Sequence, residues 1–261
     1  MLNLACASLS CDGFGDERFV PSMQLLPEIG YECIELNCWN PSDLTPNSIT
    51  NLRRRCDEAG LEPIAVFGSS FGGTGFDVSK DVGHKLRMID AAVELDCNRI
   101  VATGATRGEA GGIDSIIRVL EEITPYAERR GVLVCLENHA NNNLETIEDY
   151  ETIFSTVDSP NVGLCFDTGH FEASGIELNE VADRLHERVV HIHVKETARF
   201  GEKNFVKFGE GVTDNSALLE KMDEYGYRGY VTVELAIEDK SNVIEDLRKP
   251  IELFESYMTD S

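Results

Sequence analysis

The sequence predicts an α/β fold, a single closed (β/α)8 TIM barrel over residues 1–261, on three observations. Short β-branched runs alternate with amphipathic segments along the chain, and strict alternation of that kind implies parallel strands. The units number eight in 261 residues, near the roughly 250 residues of a closed eightfold barrel. No linker, low-complexity stretch or composition shift divides the chain.

Strand runs are read in order at LNLACAS (2–8), CIELNCW (33–39), PIAVFGS (63–69), RIVATGA (99–105), VLVCLEN (132–138), VGLCFD (162–167), VVHIHVK (189–195) and YVTVEL (230–235). Between them lie helical segments such as SITNLRRRCDEAG, DSIIRVLEEITPYAERRG, NEVADRLHERV and SALLEKMDEYG. Several end in Gly, the usual helix C-cap, and TPNS and TDNS offer N-cap side chains. The competing open doubly wound sheet needs a Gly-rich first turn. The first turn here, SLSCDGFGDE, has no GxGxxG, and FGGTG (71–75) lacks the Lys-Ser/Thr of a phosphate loop.

Composition narrows the partners. The 47 acidic residues outnumber the 23 basic ones, for a formal net charge of −24. Nucleic-acid binding needs a basic footprint, so the charge argues against that class, and against an anionic membrane surface for the same reason. No apolar run reaches the roughly 18–20 residues of a membrane span, and MLNLACASLS has no basic n-region, so it is read as a first strand. The eight cysteines form no CxxC and several sit in apolar strand runs. They are expected to be reduced, buried side chains of a cytoplasmic protein. Self-association is left open.

Functional groups of such a barrel sit at the C-terminal ends of its strands. Glu137 ends the fifth run, Asp167 the sixth with His170 in the turn after it, His193 the seventh and Glu234 the eighth. Their spacings of 30, 26 and 41 residues are each about one strand–helix unit. Four consecutive strands thus deliver two glutamates, an aspartate and a histidine to one rim. That donor set suits one divalent ion, Mn²⁺ first, with Mg²⁺, Co²⁺ or Zn²⁺ as alternatives. His191 and His193 are i and i+2 on a strand and face the same way. His193 is nearer the rim, so His191 is expected one layer down as a hydrogen-bonded core residue. Lys195 and Glu196 are further rim candidates.

LENHANNN, GLCFDTGHF, VVHIHVKE and GYRGYVTVEL together resemble the xylose-isomerase-like (β/α)8 superfamily of sugar isomerases and epimerases, whose relatives include D-tagatose 3-epimerase, hydroxypyruvate isomerase and inosose dehydratase. The motifs cover roughly 131–236; the N-terminal half agrees in its rhythm and in IELN at Glu35. The resemblance implies Glu137, Asp167, His193 and Glu234 as metal ligands. It implies His170 and Arg199 as substrate contacts, and Glu35 and Lys195 are added as further substrate-binding candidates. The superfamily's apurinic endonuclease branch needs extra histidines, and VFGSSFGG, VATGATRG and FGEGVTDN contain none.

The expected chemistry is proton transfer at carbon next to a carbonyl of a sugar, sugar phosphate or keto-sugar, with Glu137 and Glu234 as catalytic acid and base. Epimerase and isomerase outcomes share the site. An inosose-type dehydratase is the alternative, and a non-catalytic sugar binder is the reading of another class.

Overall fold

The computed structural model describes residues 2–14, 18–72 and 77–257. Parts of the first turn (15–17) and of the FGGTG segment (73–76) lie outside the described residues. Eight parallel strands close into a barrel: β1 (Asn3–Ala7), β2 (Cys33–Asn37), β3 (Glu62–Phe67), β4 (Arg99–Ala102), β5 (Leu133–Glu137), β6 (Val162–Asp167), β7 (Val189–Val194) and β10 (Tyr230–Val233). The order around the barrel is β1-β10-β7-β6-β5-β4-β3-β2. Between β7 and β10, β8 (Glu196–Thr197) and β9 (Phe205–Val206) form an antiparallel pair.

The long helices outside the barrel are α2 (Val20–Ile29), α3 (Pro46–Ala59), α4 (Val78–Glu94), α5 (Gly112–Arg130), α6 (Ile147–Thr156), α8 (Leu178–Leu185), α9 (Asn215–Glu224) and α10 (Val243–Phe254). Two short ones, α1 (Leu9–Asp12) and α7 (Thr168–Ala173), follow β1 and β6 directly. All eight strand runs of the sequence reading are barrel strands. The elements it lacks, α1, α7, β8 and β9, are too short to show a hydrophobic period.

Local chemistry places the helix ends. Thr45 caps α3 by accepting the Ser48 N–H, and Asp214 caps α9 by accepting the Ala217 N–H. Gly60 ends α3 at φ 71°, a left-handed conformation that costs glycine little.

The core has two parts. Large aliphatic and aromatic side chains fill the layer between barrel and helices. Inside the barrel lies a smaller cluster: Ala5, Ile64, Ala65, Phe67, Val101, Cys135 and Cys165. The small side chains there leave room for polar groups above them. All eight cysteines are free, and all but half-buried Cys33 are buried. Burial pushes the Cys135 thiol up to about 12, so it packs as a small apolar group. No helix among the described residues is long and apolar enough to cross a membrane.

Strand register sets the mouth. Asp167 pairs with His193, which pairs with Thr232; Glu137 pairs with Cys165, which pairs with His191.

Candidate active site

Four strand ends converge at the C-terminal mouth. Glu137 and Asp167 are the last residues of β5 and β6, His193 is one short of the end of β7, and Glu234 follows β10. One ligand-type atom from each lies within 4.8 Å of the others. His193 Nδ1 is 2.7 Å from Glu137 Oε1, 3.1 Å from Glu234 Oε2 and 4.0 Å from Asp167 Oδ2. All four side chains are buried.

Three carboxylates so close in a low-dielectric site repel one another unless a cation sits with them. Lys195 supplies one charge: its Nζ is 2.7 Å from Glu234 Oε1 and 3.0 Å from Asp167 Oδ2. Yet Asp167 Oδ2 and Glu234 Oε2 lie only at ion-pair distance from Lys195 and His193 and accept no well-directed hydrogen bond. Buried oxygens seldom go without one. Three carboxylates and an imidazole, with two oxygens so placed, fit a divalent cation.

The surrounding groups aim these donors. Asp167 Oδ1 caps α7 by accepting the His170 N–H at 2.8 Å, which leaves Oδ2 to the mouth. Asn138 ties β5 to β6, donating to the Asp167 carbonyl and accepting its N–H. Behind the mouth, Glu35 Oε2 lies 3.0 Å from both His193 Nε2 and His191 Nε2. Burial raises the Glu35 carboxyl, but the two histidines overcome it and hold it at about 2. Burial lowers the His193 imidazole, but the Glu35 and Glu137 carboxylates help to overcome it and hold it well above its usual value; a cation at Nδ1 would displace the proton there while Nε2–H stays on Glu35 and orients the ring. His191 also meets Thr232 Oγ1 at 3.0 Å. Burial pulls it down to about 4, so it is a neutral core residue.

The two glutamates differ. Burial pushes Glu137 up to about 7. Burial acts on Glu234 in the same direction, but the Lys195 ammonium and His193 overcome it and hold that carboxyl well below the usual range. A pair separated in this way can divide acid and base roles.

The cluster opens into a cavity of about 610 Å³. Trp39, Phe67, Ser69, Ser70 and Thr103 line one side; Glu137, His139, His170, Lys195, Phe205 and Glu234 line the other. His139 and His170 lie ring against ring, centroids 3.8 Å apart. Burial lowers His139 to about 4 and takes His170 well below its usual value. Ala140 N–H points at His170 Nδ1 at 3.4 Å, which leaves the proton on Nε2.

Of the residues expected from sequence, the structure brings Glu137, Asp167, His193, Glu234, His170 and Lys195 together. It does not bring the other two. Glu35, expected to touch substrate, is 0% exposed behind His193 and orients imidazoles instead. Arg199, expected likewise, sits in the β8–β9 turn with a 77% exposed side chain 3.7 Å from Glu202. The hairpin, invisible as a pattern, sends Phe205 to the cavity, and Arg199 is not among the lining residues. Glu196 accepts the Gly209 and Gly211 N–H groups and so pins a loop. Sequence reasoning missed His139, Trp39, Ser70 and Thr103. His139 stood two residues after Glu137 and could have been found; Thr103 carries no local signal.

A second cluster, Cys165, His191 and His193, lies deeper. Burial drives the Cys165 thiol well up, which opposes the thiolate a metal would need.

A parallel barrel with this cluster at its mouth defines the class, and the comparisons agree with it. The chain belongs to the xylose isomerase-like TIM barrel family, whose model matches residues 23–257. It is 31% identical to an inosose isomerase of Bacillus velezensis over 232 residues, 82% of this chain and 81% of that one. An inosose dehydratase of Lacticaseibacillus casei is 28% identical over 131 residues, 44% of each chain. The zinc-bound crystal structure of the IolI protein superposes with TM-score 0.80 at 21% identity, covering 99% of this chain and 100% of the other.

Proposed function

We propose that this protein is a divalent-metal-dependent isomerase or epimerase of an inosose or keto-sugar, acting by proton transfer beside a carbonyl. In this reading Glu137, Asp167, His193 and Glu234 hold the metal, and Glu137 and Glu234 also carry the proton. The observation that carries the reading is the four-residue cage itself, two glutamates, an aspartate and a histidine with donor atoms within 4.8 Å of one another and two carboxylate oxygens that accept no well-directed hydrogen bond. The inosose isomerase relative of comparable length supports the substrate class.

A divalent ion in the cage would polarise the carbonyl and stabilise the charge that develops as the neighbouring carbon loses its proton. Glu234, kept ionised by Lys195, accepts a proton from that carbon. Glu137, across the cage, is the donor that returns one. Return to the opposite face of the same carbon inverts it; return to the adjacent carbon, with its hydroxyl proton passing to the former carbonyl oxygen, moves the carbonyl. Lys195 holds Glu234 Oε1 in place, and His170 offers Nε2–H to a substrate hydroxyl. Trp39 and Phe67 face the apolar side of a sugar, and Ser70 and Thr103 offer hydroxyls.

Inosose dehydration is the second reading. The inosose dehydratase relative favours it: a proton delivered by Glu137 to a departing hydroxyl would release water. The test is incubation of the Mn²⁺-loaded protein with inososes and ketoses in D₂O, followed by NMR. Deuterium beside the carbonyl in a rearranged product is expected; loss of water marks the dehydratase. Full metal occupancy with no exchange into any of them would sink both readings.

A further inference from the structure

A second charged pair, unused by the chemistry above, lies behind the opposite wall of the cavity. Around the barrel β3 and β4 stand across from β7 and β10. Their side of the cavity includes Gly68, Ser69, Ser70 and Thr103. On α4, Lys85 is fully buried and Asp81 nearly so, with Lys85 Nζ 3.3 Å from Asp81 Oδ1. Lys85 Nζ donates to the Ser69 carbonyl at 2.6 Å and lies 4.6 Å from the Phe71 ring centroid. Asp81 Oδ2 accepts the Gly72 N–H at 2.6 Å. Between these anchors the Phe71 N–H donates to the Thr103 carbonyl, and Ser70 Oγ is 2.9 Å from Thr103 Oγ1. The segment is closely packed at Gly72, where a Cβ would come 2.6 Å from Ala110 Cβ.

A buried ion pair is a poor source of stability, since apolar side chains of similar volume often do as well or better. Its value lies in geometry. We infer that Lys85 and Asp81 are positioning residues that clamp residues 69–72 and thereby set the substrate wall facing the metal cluster. The clamp stands on the contacts alone; what the wall receives rests on the proposed function.

The test uses the Mn²⁺-loaded double variant Lys85→Met/Asp81→Leu, which leaves no unpaired buried charge. Hydrogen exchange is followed at the Phe71 and Gly72 amides, with β7 as internal reference. Binding of 2-keto-myo-inositol is followed by the fluorescence of Trp39, the only tryptophan. Exchange in 69–72 should speed up about tenfold or more with β7 unchanged. The Kd for the inosose should rise about tenfold, with kcat within about threefold of the parent. Unchanged exchange overturns the clamp; faster exchange with an unchanged Kd overturns its role in binding. A parent that binds no inosose counts against the proposed function, while the exchange measurement still decides the clamp. Should the double variant not fold, Lys85→Met/Asp81→Asn, which keeps an acceptor for Gly72, is read by the same exchange.

Discussion

The two halves of the barrel mouth are built differently. The β5–β7 and β10 side presents charged groups: Glu137, Asp167, His193, Lys195 and Glu234, interlocked at 2.7–3.1 Å. The β2–β4 side presents hydroxyls and rings: Trp39, Phe67, Ser70 and Thr103. Charges in a buried site interact strongly and must be placed together, whereas hydroxyls and aromatic faces act one at a time. The first half is suited to a reaction and the second to choosing what reacts.

That contrast can be broken most directly at the glutamates. Glu137→Gln and Glu234→Gln keep shape and one ligand oxygen but remove the proton carrier. Turnover of the metal-loaded variants should fall by about 10²–10⁴-fold. Isotope exchange should separate them, one variant still washing out substrate hydrogen without forming product. Turnover within a few-fold of the parent would make that glutamate a ligand only.

His191→Asn tests depth on the charged side. It removes contacts to Glu35 and Thr232 and should cost about 1–3 kcal/mol of stability, with metal content kept. A variant that melts like the parent but has lost its metal would reverse the roles of the two histidines.

On the neutral side, Ser70→Ala and Thr103→Val should each raise KM about two- to tenfold, about 0.5–1.5 kcal/mol, and leave kcat nearly unchanged. Arg199→Ala, outside the cavity, should change neither. A KM effect from Arg199 larger than that from Thr103 would show the hairpin folding over substrate.

The smallest effect is one of pH. Burial lowers His139 from 6.5 to about 4. The unfolded chain therefore binds more protons in that window, and the stability from a neutral His139 is full above 6.5 and lost as pH falls toward 4. Glu137, raised to about 7, acts in the opposite sense. The readout is accordingly the difference in Tm between the parent and His139→Asn, which should shift in the variant's favour on acidification. A pH-independent difference would mean that His139 is not held neutral.

How far the sequence reaches differs between these halves too. Eight strand runs were legible because alternation and burial repeat along the chain, and the rim positions of Glu137, Asp167, His193 and Glu234 followed from strand ends alone. The depth of His191 followed from the two-residue strand period. The sequence by itself thus determined the barrel and one charged edge, because both depend on periodicity and on order along the chain. Only the tertiary structure decided that Glu35 sits behind His193, that Arg199 is exposed in a two-residue-strand hairpin and does not line the cavity, and that Ser70 and Thr103 meet across β3 and β4. Those facts depend on contacts between residues 33 to 158 positions apart and on turns too short to carry a period, and no local pattern encodes them.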